Sequence, residues 1–123
     1  RDTTKYGVIQ PERITDCLYR VLGMVEKPEP SEAPSNLGIV GRYILTPGVF
    51  NTLTATRPGK GREIQLTDAL QSLLKTELIN AFEFPGVRYD TGNPLGWLKA
   101  TIALALKHPE IGPEVRAYLK QLL

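Results

Sequence analysis

Positions 18–28 read LYRVLGMVEKP, an apolar run that ends in an acid, a base and a proline. The run at 18–25 has the length and the apolar content of a buried strand. Pro28 has no amide hydrogen to donate to a sheet, so we predict that the strand ends at Glu26 or Lys27. The end of this strand therefore carries a carboxylate beside an ammonium group.

The pair Glu26 and Lys27 suggests a binding site. In open α/β sheets, ligands bind at the carboxyl ends of strands, and these two groups suit a ligand that has hydroxyls and a phosphate. The alternative is that both are solvated charges at the end of a strand. These residues alone favour this alternative.

Composition indicates an ordinary globular domain. The 123 residues are 41% hydrophobic and 23% charged, which suits one domain with a buried core. The net charge is +2 without a block of like charges, so no nucleic-acid partner is expected. No apolar run is long enough to span a bilayer and no signal peptide is recognised, so no membrane partner is expected.

Two further features concern the compartment and the chain's extent. Cys17 is the single cysteine, which excludes an internal disulfide framework and favours the reducing cytoplasm. The sequence starts at Arg1 and not at methionine, which is consistent with a piece of a longer protein.

Further strands are predicted on both sides of the opening run. Residues 6–9 form a strand candidate that Pro11 should stop. Residues 28–36, with three prolines, should form a loop. The segment LGIVGRYIL at 37–45 is apolar throughout, so we predict a central strand that is covered on both faces.

The middle of the chain shows one helix start and one basic loop. Thr46 followed by proline is typical of an N-cap, and the short helix after it should present Val49, Phe50 and Leu53 on one face. The glycine-containing basic stretch at 57–62 lacks the lysine–hydroxyl pair of a phosphate loop, so we expect a flexible surface loop.

The rest of the chain should be mainly helical. Apolar residues at helical spacing predict a helix over 66–74, whereas the loose alternation at 78–89 predicts a hairpin or two strands. Asn93 should cap a helix whose buried face is Leu95, Leu98, Ile102, Ala105 and Leu106. A last helix should start at Gly112.

Several ordered motifs resemble one enzyme family. The motifs are YGVI at 6–9, VEKP at 25–28, SNLGIVGRY at 35–43, GREIQLTDA at 61–69, RYDTG at 88–92 and GWLKA at 96–100. Their order and spacing resemble the bacterial UTP-glucose-1-phosphate uridylyltransferases, a family of sugar nucleotidyltransferases. The resemblance covers nearly the whole chain, but it corresponds only to the C-terminal part of the family enzyme.

The resemblance implies an α/β fold: the C-terminal half of a Rossmann-like nucleotidyltransferase, with a mixed, mostly parallel sheet flanked by helices and with amphipathic C-terminal helices. It also implies that residues 1–123 carry the sugar-phosphate side of the site, about 94–123 being the helical segment. The family's Gly-x-Gly-Thr-Arg loop and its first magnesium-binding aspartate have no counterpart here. The N-terminal, nucleotide-binding half is therefore expected to be missing.

Roles follow from the resemblance residue by residue. The backbone of Gly7 would approach a sugar hydroxyl, Glu26 would accept hydrogen bonds from two neighbouring sugar hydroxyls, and backbone groups near Ile39 would complete the pocket. Lys27 would be the catalytic residue that holds the sugar phosphate. Asp90 would be a ligand of the cofactor Mg²⁺, although an Asx-turn would also explain it.

The activity implied is the formation of UDP-glucose and pyrophosphate from UTP and glucose-1-phosphate in the cytoplasm. The terminal helices and Trp97 offer apolar surface, so a homo-oligomer through these helices is expected, with burial inside the fold as the alternative. Two other functions stay open. One is a non-catalytic fragment or assembly module, and the other is a related nucleotidyltransferase with another sugar or nucleotide.

Overall fold

The computed structural model describes residues 3–59 and 62–122, which divide into two units, Arg1–Phe84 and Pro85–Leu123. After a short 3₁₀ helix at Thr3–Lys5, the first unit contains β1 (Gly7–Arg13), β2 (Leu18–Glu26), α1 (Gly48–Ala55), α2 (Leu66–Leu73) and β3 (Asn80–Phe82). The second unit contains α3 (Pro94–Ala105) and α4 (Gly112–Leu122). The predicted α/β class is confirmed, as are the opening strand, the helix after residue 65 and both C-terminal helices.

The sheet of the first unit has the order β1-β2-β3, and both pairings are antiparallel. The prediction of mostly parallel strands is therefore wrong for the described residues. A short turn joins β1 to β2, in which the amides of Ile14 and Thr15 donate to the carbonyl of Leu18 at 2.9 and 3.0 Å. So short a connection allows only an antiparallel pair, because a parallel pair needs a long crossover.

Pro11 does not stop the first strand, contrary to prediction, and β1 runs on to Arg13. The register shifts between Gln10 and Pro11, where Gln10 pairs with Gly23 and Pro11 with Val21. Leu22 is thus the extra residue of a β-bulge. A bulge is one of the few places in a sheet where proline's missing amide is tolerated.

A small apolar core joins the sheet to α1 and α2. Its buried members are Ile9, Val21, Met24, Val49, Leu70 and Leu73. The strand residues come from one face of the sheet and the helix residues from the predicted apolar stripes, so helical periodicity placed this face correctly. Phe50 was predicted on the same face but is exposed.

The predicted central strand at 37–45 is wrong. The segment makes a single isolated bridge, between Gly38 and Val8, and Ile44 is fully exposed at 101%. Gly41 has a φ of 82°, which is outside the extended region, so an extended strand cannot run through this position. An apolar run without period 2 gave no direct evidence for a strand.

Two boundary predictions also need correction. The N-cap position of α1 is Pro47, and the Thr46 hydroxyl bonds Glu77 at 2.6 Å instead of capping the helix. Only Asn80–Phe82 of the predicted hairpin at 78–89 is a strand, and it pairs with β2. Of the predicted basic loop, Lys60 and Gly61 lie outside the described residues.

The second unit begins α3 as predicted, because the Asn93 side chain accepts a hydrogen bond from the Gly96 amide at 2.8 Å. The predicted buried face is only partly right. Leu95 and Leu98 are exposed, whereas Ala100 is buried. The apolar residues of α3 surround the helix, so periodicity alone did not identify its covered side. Among the described residues, no helix has the length and apolar character that a membrane crossing requires.

Candidate functional site

β2 ends at Glu26, as predicted, and Lys27 turns the chain away from the sheet. Lys27 has a φ of 46°, and its amide donates to the Tyr6 carbonyl at 3.0 Å. A left-handed lysine is uncommon, and a residue before proline normally prefers an extended backbone. The bond to Tyr6 therefore holds an unfavourable turn directly after Glu26, the last residue of the strand.

The two charges are neighbours in space. Lys27 Nζ lies 3.7 Å from Glu26 Oε1, and the two side chains are 42% and 13% exposed. A separation of 3.7 Å is long for a hydrogen bond, so the pair is held mainly by charge. An ammonium that is half open to solvent can turn towards an anionic ligand without leaving the carboxylate's neighbourhood.

Gly7 faces this pair from β1, where its register partner is Glu26. The Ile39 amide donates to the Gly7 carbonyl at 2.8 Å, which brings the 37–45 segment against the strand. A Cβ on Gly7 would lie 2.8 Å from Thr67 Oγ1, 3.1 Å from Glu26 Oε2 and 3.1 Å from Ile39 Cδ1. The space beside Gly7 is therefore already filled, and glycine is the residue that fits.

Thr67 joins the pair from the first turn of α2. Its hydroxyl donates to Glu26 Oε2 at 2.5 Å. Gly7, Glu26, Lys27, Ile39 and Thr67 are called the Glu26 cluster below. The structure thus brings together the four residues that the sequence suggested for the sugar phosphate, although their roles stay predictions.

Thr67 was not among the predicted site residues. It lies three positions before Leu70 on the apolar side of α2, and it is buried. A buried hydroxyl in an apolar stripe needs a hydrogen-bond partner, so this position carried a usable indication of a polar contact. Periodicity could not say which partner it would find.

The charge of Glu26 also affects the pKa of Tyr43. The pKa of the Tyr43 phenol is raised above its ordinary value of 10.0, chiefly by burial and next by the negative charge of Glu26. Tyr43 belongs to the 37–45 segment whose amide at Ile39 bonds Gly7. The charge of the carboxylate therefore acts on this segment as well as on Lys27.

Asp90 belongs to the second unit. Its Oδ1 accepts a hydrogen bond from the Gly92 amide at 3.1 Å, which is the Asx-turn anticipated as an alternative. Within residues 3–59 and 62–122, no group of three or more His, Cys, Asp or Glu side chains could hold a metal ion. Asp90 is exposed and fits the part of a single carboxylate ligand, which is compatible with Mg²⁺ only where substrate phosphates complete the shell.

The Glu26 cluster has a definite chemical character. A carboxylate accepts hydrogen bonds from hydroxyls and can serve two neighbouring ones, whereas an ammonium is a compact positive charge that suits a phosphate. Its groups are therefore suited to binding and to charge neutralisation.

Comparison with known proteins gives relatives over nearly the whole chain. UTP-glucose-1-phosphate uridylyltransferase of Streptococcus pneumoniae is 49% identical over 122 residues, which are 98% of this chain and 41% of the relative. UTP-glucose-1-phosphate uridylyltransferase 2 of Streptococcus pyogenes is 47% identical over the same shares. The chain thus spans about two fifths of the length of these curated relatives.

Solved structures agree with these relatives. A UDP-glucose pyrophosphorylase complexed with UDP-glucose superposes with a TM-score of 0.79 at 47% identity, over 86% of this chain and 40% of that one. A UTP-bound UGPase from Acinetobacter baumannii superposes with a TM-score of 0.83 at 34% identity, over 99% of this chain and 42% of that one.

These findings confirm the resemblance that the motifs indicated. The model of the nucleotidyl transferase family matches residues 1–106. That match includes the Glu26 cluster and Asp90. The chain belongs to the nucleotidyl transferase family.

Proposed function

We propose that this chain supplies the sugar-phosphate side of a UTP-glucose-1-phosphate uridylyltransferase. The observation that carries the proposal is the pairing of Glu26 with Lys27 at 3.7 Å, at the end of β2, in a chain 47–49% identical to such enzymes. Glu26 accepts hydrogen bonds from a vicinal diol of glucose-1-phosphate. Lys27 lies beside it and binds the phosphate.

The reaction asks mainly for alignment and charge neutralisation. A phosphate oxygen of glucose-1-phosphate attacks the α-phosphorus of UTP, a new P–O bond forms, the bond to the β-phosphate breaks, and pyrophosphate leaves. The attacking oxygen is already an anion, so no general base is required. Lys27 reduces the repulsion between the two anions and holds the attacking oxygen in place.

Enzymes of this family generally use a divalent metal ion. We propose Mg²⁺, with the Asp90 carboxylate as one ligand, because this ion takes one or two carboxylates together with substrate phosphates. When bound, Mg²⁺ would neutralise charge on the phosphate oxygens. The exposed Asp90 carboxylate supports this assignment. Its Oδ1 accepts a hydrogen bond from the Gly92 amide.

The nucleotide side is proposed to come from residues beyond these 123. The printed sequence has no Gly-x-Gly-Thr-Arg loop, and the chain spans 41% of its curated relatives. We propose that the complete enzyme works in the cytoplasm, in keeping with a free cysteine at position 17.

The proposal predicts that the complete enzyme forms UDP-glucose, whereas the 123-residue chain alone forms none. Pyrophosphate release is measured with a panel of nucleoside triphosphates and sugar phosphates. A preference for UTP and glucose-1-phosphate supports the proposal, and a clear preference for another pair favours a related nucleotidyltransferase. Turnover by the 123-residue chain alone would show that the nucleotide site has been assigned to the wrong residues.

A second proposal is that the enzyme self-associates through its C-terminal helices. Trp97 is 59% exposed, and further apolar side chains of the second unit are exposed with it: Leu95, Leu98, Leu104, Ile111, Tyr118 and Leu122. Exposed apolar side chains of this kind are used in protein contacts.

Sedimentation of the complete enzyme, with and without residues 112–123, tests this second proposal. We expect an oligomer in the first case and a smaller species in the second. A monomer in both preparations would contradict the proposal. An oligomer without UDP-glucose formation would favour the assembly module over the enzyme.

A further inference from the structure

We propose that Thr67 is a positioning residue that orients the Glu26 carboxylate for the sugar diol. This inference rests on the proposed function and names a specificity-determining residue for it. Thr67 is 5% exposed, and its hydroxyl donates to Glu26 Oε2 at 2.5 Å. The residue acts through Glu26, so it is not assigned a contact with the sugar.

The position of Thr67 is fixed by the helix that carries it. One turn further along α2, Gln71 Oε1 accepts a hydrogen bond from the Met24 amide at 2.6 Å. Residues four apart lie on the same face of a helix, so Thr67 and Gln71 attach α2 to β2 at two points. Two attachments prevent α2 from sliding along the strand, and the Thr67 hydroxyl therefore meets Glu26 at one defined place.

The carboxylate needs such a contact because its last torsion is soft. The terminal torsion of a glutamate is broad, so an unrestrained carboxylate rotates about it. A vicinal diol donates to both carboxylate oxygens at once, so the carboxylate plane must keep one orientation. A hydroxyl bonded to Oε2 restricts that rotation and fixes the plane in which the second oxygen faces the ligand.

The acceptor capacity of Glu26 agrees with this arrangement. A carboxylate offers about four lone-pair sites. Thr67 uses one site on Oε2, and the Lys27 ammonium lies 3.7 Å from Oε1. About three sites then remain, which is enough for two neighbouring hydroxyls. Because Gly7 has no Cβ, the Thr67 hydroxyl and the carboxylate have room to meet beside it.

The test compares Thr67→Val with Thr67→Ser in the complete enzyme. Valine keeps the shape and loses the hydroxyl, whereas serine keeps the hydroxyl. We expect Thr67→Val to raise the KM for glucose-1-phosphate about tenfold, with kcat and the KM for UTP nearly unchanged, and Thr67→Ser to behave like the wild type. Selection of glucose-1-phosphate over its monodeoxy analogues should fall in Thr67→Val alone.

Thr52→Val is the matched control. Thr52 is a half-buried helix threonine whose hydroxyl bonds the Val49 carbonyl at 2.8 Å, so the substitution removes a comparable hydroxyl in α1. It should leave the KM for glucose-1-phosphate unchanged. If Thr67→Val does not fold, Thr67→Ala, which adds no atoms next to Gly7, replaces it in every comparison.

A double-mutant cycle separates positioning from a general structural role. In a Glu26→Gln background, Thr67→Val should have much less effect on the KM for glucose-1-phosphate, because the group that it orients is already altered. An undiminished effect in that background would overturn the inference, as would a Thr67→Val enzyme with wild-type parameters. If the wild-type enzyme forms no UDP-glucose, the proposed function fails and this inference fails with it.

Discussion

Replacing Lys27 with alanine is expected to lower kcat/KM for glucose-1-phosphate by about ten- to a hundredfold, while the fold stays intact. The ammonium lies 3.7 Å from Glu26 Oε1 and its side chain is 42% exposed, so a phosphate bound beside the carboxylate would lie close to its positive charge. A charge-assisted hydrogen bond of this kind contributes about 1.5–3 kcal/mol. Because the phosphate is both bound and reacting, the loss should appear in kcat/KM for glucose-1-phosphate.

The companion variants define the role of the charge. Lys27→Arg should recover only part of the activity, since a planar guanidinium does not reproduce a compact point charge. Lys75→Ala is the matched control. Lys75 is an exposed lysine just after the C-terminal end of α2, whereas Thr67 lies at the N-terminal end of the same helix. Steady-state kinetics with each substrate varied in turn measures the effect. Unchanged glucose-1-phosphate parameters in Lys27→Ala would mean that Lys27 is a solvated charge and that the phosphate binds elsewhere.

Gly7→Ala is expected to impair both folding stability and sugar binding. The added Cβ would lie 2.8 Å from Thr67 Oγ1 and 3.1 Å from Glu26 Oε2 and Ile39 Cδ1. Overpacking of this kind costs about 1–3 kcal/mol. Relief of the contact requires Thr67 and Glu26 to move away from position 7, so kcat/KM for glucose-1-phosphate should fall by at least about tenfold.

Chemical denaturation and steady-state kinetics measure the two effects of Gly7→Ala. Gly38→Ala is the control for stability, because the three atoms nearest to a Cβ there all belong to Tyr6 and lie at 3.6 Å or more. We expect its free energy of unfolding to change little. Wild-type stability and kinetics in Gly7→Ala would show that the neighbours of Gly7 have room to move.

Local patterns predicted much of this structure, because their causes are local. The end of β2 followed from proline at position 28, and the Asn93 cap followed from side-chain chemistry at a helix start. The segment at 37–45 could not be placed in this way. Its single bridge to β1 depends on contacts with residues some thirty positions earlier, and an apolar run does not reveal where a glycine will turn it away.

The two charged residues of the candidate site could be proposed from the sequence, whereas the residues that act on Glu26 from other elements could not. Glu26 and Lys27 are adjacent in sequence, and the resemblance to the family implied that Gly7 and Ile39 belong to the same site. Thr67 reaches Glu26 only through the packing of α2, and the charge of Glu26 acts on Tyr43 only through the placement of the 37–45 segment. No spacing in the sequence encodes either interaction.

The left-handed backbone at Lys27 places stability and activity in opposition at one position. A side chain in that conformation costs about 1–2 kcal/mol that glycine would avoid. Laboratory selection for heat resistance alone would therefore favour glycine there and discard the ammonium. Any programme that stabilises this protein should hold position 27 fixed and seek its gains elsewhere, since the strain accompanies the group that the proposed chemistry requires.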